Sequence, residues 1–136
     1  MAAGKYDFTI EQGATVDFAI QYKDSGSTPI DLTGYQARMQ FRPTFASDVI
    51  YLTLSSSLGP CGTGLNFSGS GGLDADLPPT SGSIGIYLTA VSSSQLTFDA
   101  ALYDLEIATG SGDCATVTRL LEGVVKLSKN ITLGSF

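Results

Sequence analysis

Histidine and tryptophan are both absent from this 136-residue chain. Without histidine, the commonest general base and the commonest metal ligand are missing. Serine is abundant, but no Gly-x-Ser-x-Gly turn occurs and no base is available for the usual triad. The two cysteines, Cys61 and Cys114, lie far apart in Gly/Ser-rich surroundings. They make neither a zinc site nor a thiol protease, and they read as reduced thiols. Charge is scarce too: charged residues make up 15% of the chain and the net charge is −6. Seven Lys and Arg scattered along the sequence make no phosphate-neutralising footprint. An acidic surface is also repelled by anionic lipid, so neither nucleic acid nor membrane is an expected partner. No apolar run is long enough to cross a bilayer. Residues Met1–Lys5 lack the basic and apolar stretches of a signal peptide. The expected location is the cytoplasm in which the chain is made, or a particle that leaves it.

What the chain does have is alternation. In Tyr35–Arg42 every odd residue is apolar and every even one polar, the pattern of a strand with one wet and one dry face. Tyr6, Phe8 and Ile10 alternate in the same way, and so do Ala14, Val16, Phe18, Ile20 and Tyr22, with Gly13 free to supply a positive φ between them. Residues 49–54 are β-branched and aromatic and predict a fourth strand. Tyr103, Leu105 and Ile107 share one face of another strand. Residues 110–113 read as a hairpin turn, and the last strand spans about 115–128 with a bulge expected at Gly123. Residues 89–97 hold one helical turn with Thr89 as its cap. These short strands, with turn signals between them, form one domain over 1–136 and predict a sandwich or barrel.

Residues 55–83 differ in character, being rich in Gly and Ser with little to bury, and Leu65-Asn66-Phe67 is the one candidate edge strand. They read as a long loop or insertion, either a tolerated surface feature or a partner contact. The glycines at 62–72 do not join a strand to a helix, so they are no phosphate cradle.

Carboxylates are the remaining candidates for chemistry. Asp104 and Glu106 share the polar face of a strand and are expected to be solvated, although a carboxylate pair can run glycoside hydrolysis. Asp74 and Asp76 lie in a loop and, with carbonyls, are the alternative of a calcium site, without EF-hand spacing. The reading is of no catalytic, cofactor-binding or metal-binding residues, no cofactor and no enzyme. Tyr6, Phe8, Phe18, Tyr22, Phe41 and Tyr103 fall on apolar faces and read as core. Asp31 is placed to accept N–H bonds in the turn Leu32-Thr33-Gly34. Tyr103 is placed to bury its ring and bond a backbone carbonyl.

Four segments carry a resemblance: Phe8–Thr15, Pro29–Gln40, Tyr103–Glu106 and Thr116–Gly123. In this order they resemble small virion proteins of tailed phages, similar to the N-terminal domain of baseplate upper proteins. The resemblance covers most of the chain and is weakest at 55–83. It implies an all-β, immunoglobulin-like antiparallel β-sandwich of about seven to nine strands with one long Gly/Ser-rich loop. It also implies a non-enzymatic structural protein of the virion, at the baseplate or tail-fibre attachment. Its expected partners are other virion proteins, in a hetero-assembly or a homo-oligomer. The competing readings are a trimeric capsid decoration or cement protein and a carbohydrate or receptor-binding module. The absence of tryptophan and the core placement of the aromatics speak against the last.

Overall fold

The structure is a computed structural model and describes residues 3–110 and 112–132. Its strands are β1 (Gly4–Lys5), β2 (Phe8–Glu11), β3 (Val16–Gln21), β4 (Gln36–Arg42), β5 (Leu52–Ser55), β6 (Gly64–Asn66), β7 (Ser83–Leu88), β8 (Ala100–Thr109) and β9 (Thr116–Ser128), with one short helix, α1 (Ala90–Ser94). The larger sheet runs β5-β4-β8-β9, and β1 and β2 follow one another along the outer edge of β9. The smaller sheet is β3-β7-β6. Two facing sheets in this order make an all-β, immunoglobulin-like sandwich. The expectation of a wholly antiparallel sandwich is corrected at one edge, where β1 and β2 pair parallel to β9. No hairpin joins the two ends of the chain, so nothing forces them to run in opposite directions.

The predicted alternation is realised in β4, where Ala37, Met39 and Phe41 are buried while Arg38 is exposed. The inward row of β8, Tyr103, Leu105 and Ile107, meets them in register. Ile84, Ile86 and Leu88 of β7 close the core from the other sheet. Phe8, Phe41 and Tyr103 pack edge to face in its middle, with centroids 5.1–6.2 Å apart, the geometry that ring quadrupoles favour. Tyr6 is the aromatic that departs from the core reading: it is 46% exposed.

Two strand boundaries differ from the sequence reading. The strand expected at 49–54 begins only at Leu52. Val49 and Ile50 are exposed, and the Tyr51 ring leaves the ladder to stack on Phe98 at 4.9 Å. The bulge in β9 falls at Leu120, because Leu105 faces Leu121 while Glu106 faces Arg119. Gly123 has a different role. A Cβ there would overlap the carbonyl oxygen of Tyr6 and lie 2.7 Å from Asp7 Oδ1. The close approach lets Asp7 Oδ1 accept from Val124 N at 2.8 Å, filling the gap between β1 and β2.

Residues 55–83 are the largest departure. They contain β6, whose Leu65 is fully buried, and three 3-10 turns at Pro60–Gly62, Gly72–Asp74 and Pro79–Ser81. The stretch lies back on the outer face of the small sheet. Gly69 rests directly on Gly85, Gly72 rests on the Tyr87 ring, and Gly71 N donates to Asp17 Oδ1 at 2.9 Å. Here the Gly content serves close packing and not freedom of movement. The predicted edge strand is β6, which among the described residues pairs only with β7.

The turn motifs behave as their chemistry suggests. Asp31 Oδ1 accepts from Thr33 N at 2.9 Å and from Thr33 Oγ1 at 2.6 Å, and Gly34 has φ +82°. Thr89 caps α1 by accepting from Ser92 N at 3.2 Å. Gln12 and Gly13 tie the β2–β3 turn to the segment around that helix: Gln12 Nε2 donates to Leu96 O at 2.7 Å and Gly13 N to Ser93 Oγ at 3.1 Å. Ser93 in turn donates to Ala14 O at 2.8 Å, so this fully buried hydroxyl is satisfied. Ser111, in the predicted hairpin turn, lies outside the described residues.

Candidate functional site

The outward face of the large sheet gathers all three arginines of the chain, Arg38, Arg42 and Arg119. Strand register brings them together. Arg38 and Arg42 are four apart on the polar side of β4, and β8 places Glu106 opposite Arg38. β9 places Arg119 opposite Glu106 and Glu122 opposite Asp104. The resulting groove, about 370 Å³, is also lined by Gln40, Thr44 and Phe45.

The charges in it are paired. Arg38 Nε meets Glu106 Oε1 at 2.7 Å, Arg119 Nε meets Asp104 Oδ2 at 3.4 Å, and Lys5 Nζ meets Glu122 Oε1 at 2.9 Å. Arg42 instead donates to the carbonyls of Ser47 and Phe45 at 3.1 and 3.4 Å. Such exposed pairs each contribute little to stability, ~0–1 kcal/mol. They make a patterned polar surface with one aromatic at its lip, since Phe45 is 78% exposed.

Asp104 and Glu106 are therefore not the simply solvated carboxylates expected from the sequence. Burial, and then the neighbouring Glu106, push the Asp104 carboxyl above its ordinary value, and the three arginines only partly offset this. Glu122 is shifted down by its hydrogen bond and charge contact with Lys5. The signs are opposite. The Asp104 shift costs stability as pH rises above the usual carboxylate range, whereas the Glu122 contribution is present above that range and is lost as pH falls through its lowered value. Asp104→Asn is expected to gain stability relative to the parent chain between about pH 4 and pH 7. The gain should be at most ~1 kcal/mol, because the side chain is 37% exposed and water screens it. Urea unfolding at the two pH values measures it, and a variant that loses ground as pH rises would contradict the assignment.

The other candidates do not join this groove. Asp74 ends an exposed 3-10 turn and Asp76 is exposed beyond it. Among the described residues, no three His, Cys, Asp or Glu are grouped to hold a metal ion. Cys61 and Cys114 are both exposed and unbonded. Gly69 and Gly72 pack on the small sheet, and the helical feature that Gly71 opens is a 3-10 turn of three residues, Gly72–Asp74. Along the sequence the basic residues are scattered, and the arginine cluster is not visible there. Its one local signal is the spacing of Arg38 and Arg42 on a strand's polar side, and Arg119 joins them only through cross-strand register.

No family model matches this chain, and no curated protein matches it.

Proposed function

We propose that this chain is a non-enzymatic structural component of a tailed-phage particle, placed in the tail at the baseplate or tail-fibre attachment. The observation that carries this reading is where the resembling residues sit. Gln12 and Gly13 bind the segment around α1, Asp31–Gly34 form the turn into β4, and Tyr103 donates to the Tyr6 carbonyl. All are joints that set the shape of the sandwich, and the same segments also supply Arg38, Asp104, Glu106, Arg119 and Glu122 to the arginine groove. A shared scaffold is what such a resemblance would preserve. The groove, with its paired charges and exposed Phe45, suits contact with a protein neighbour, since Arg and aromatics are favoured at interfaces.

The test is a reconstruction of the purified particle with this chain tagged, together with its copy number by quantitative mass spectrometry. Density at the distal tail with a few copies per tail is expected. Full occupancy of the shell would replace the tail reading with capsid decoration, and absence from the particle would end both.

A further inference from the structure

We infer that β3 is a self-pairing edge through which two copies of this chain join their small sheets into one continuous antiparallel sheet. The two sheets of the sandwich are unequal: six strands face three. On the side where β1 and β2 extend the large sheet, the small sheet stops at β3, which among the described residues pairs with β7 alone. The inner row of β3 shows the consequence. Val16, Phe18 and Ile20 face the core but are only partly buried, whereas Ile84, Ile86 and Leu88 on the adjoining β7 are at 0% exposure. Tyr6, 46% exposed, packs beside Phe18 with ring centroids 6.1 Å apart and prolongs this partly uncovered apolar seam.

The backbone parity of β3 is defined. Tyr22 N donates to Gly82 O at 2.7 Å, in line with the register Ile20↔Ile84 and Phe18↔Ile86. In an antiparallel ladder hydrogen-bonded residues alternate, so the even residues of β3 spend their N–H and C=O groups on β7. Asp17, Ala19 and Gln21 turn theirs to the open edge. Among the described residues, nothing else bonds those groups. Proteins usually blunt such an edge with lysine, proline or a bulge, and Val16–Gln21 has none of these. Its one charge, Asp17, is held on the outer face by Gly71 N, clear of the backbone edge.

The same parity selects the occupant. Two β3 edges related by a two-fold axis must bond odd residue to odd residue, with the axis at an odd or an even position. Centring on Phe18 carries Gln21 past the end of the partner strand, and centring on Ile20 does the same to Asp17. Centring on Asp17 sets two carboxylates opposite each other, and centring on Gln21 runs the pairing out past the end of the strand. Centring on Ala19 sets Ala19 against Ala19, Asp17 against Gln21, and, on the inner side, Phe18 against Ile20. Each outward-facing pair then exchanges two hydrogen bonds, and the apolar seams of the two copies are brought side by side. A second copy is thus complementary to the edge in backbone, charge and apolar contact. The contact is isologous, as a closed dimer requires. It stands on this geometry alone and does not rest on the particle reading.

Sedimentation equilibrium of the full chain up to about 1 mM is the direct test, since an interface this small is a weak one. The parent chain is expected to dimerise. Ala19→Pro removes only the outward N–H, leaves the ladder to β7 intact and should weaken the dimer on the order of 30-fold through the two lost central bonds. Ala19→Lys and Ala19→Glu, on an exposed outer position, each set like charges face to face and should each weaken it about five-fold. An equimolar mixture of those two variants should pair more tightly than either alone, a rescue that follows only if position 19 faces itself. Circular dichroism verifies that each variant is folded, and the two charge variants carry the test if the proline variant is not. A parent chain that stays monomeric to about 1 mM overturns the inference, even if it then accepts a foreign strand. So does a dimer that the three substitutions leave unchanged. A monomer would leave the tail reading standing, and absence from the particle would leave the dimer standing.

Discussion

Gly85→Ala is expected to destabilise the fold by about 3 kcal/mol, near the top of the range for overpacking a core. Gly85 lies in the middle strand of the small sheet, with Ala19 and Asn66 as its cross-strand neighbours. Its φ is not of the kind only glycine adopts, so backbone strain is not the reason. The reason is that a Cβ there would overlap the carbonyl oxygen of Gly69 and lie 3.1 Å from Ser70 N. Neither is the end of a flexible side chain, so relief requires lifting the whole 68–72 segment. Three contacts would go with it: Gly71 N to Asp17 Oδ1, Gly72 against the Tyr87 ring, and Leu77 N to Ser68 O at 3.1 Å. Urea unfolding measures the loss, and hydrogen exchange should show the amides of 68–77 opening first. Deleting residues 68–80 should be no better tolerated, because it would uncover the same face of the small sheet. A Gly85→Ala chain as stable as the parent would show that the segment does not rest on the sheet.

Tyr103→Phe is expected to cost about 2 kcal/mol, within the range for leaving a buried polar group without its partner. Tyr103 is 4% exposed and its hydroxyl donates to the carbonyl of Tyr6, between the two edge strands β1 and β2. Burial is the largest cause that raises the hydroxyl's pKa above its ordinary value, followed by the charge of Asp7. The group stays protonated and remains a donor at any ordinary pH. The ring can stay in place in the phenylalanine variant, packed 5.1 Å from Phe8, so the loss isolates the hydroxyl. The N-terminal edge should feel it most: exchange of the amides of residues 4–11 should quicken while β4 and β8 remain protected. A uniform change across the sheet would place the hydroxyl's contribution elsewhere.

These two positions show how much of the molecule was legible beforehand. The burial of the Tyr103 ring and its bond to a backbone carbonyl follow from the alternation in β8 and from the need of a buried hydroxyl for a partner. That the carbonyl is that of Tyr6, 97 residues away in the chain, does not follow. Gly85 carries even less signal, since a lone glycine in a strand has several explanations, and the segment that presses on it reads as free loop. The arginine groove behaves likewise: each charged residue is legible as surface, and none announces its neighbours.

The sequence by itself determined most of the strands and their inward faces, the turn at Asp31–Gly34 and the cap at Thr89. Each depends on residues a few positions apart, and alternation or a short side-chain bond is a local property. Only the tertiary structure decided which strands are neighbours, that β1 and β2 run parallel to β9, that 55–83 covers the small sheet, and that β3 is left with an open edge. Those features arise from contacts between segments distant in sequence. Register and close approach govern them, and a one-residue shift in either would rearrange them without altering the local pattern.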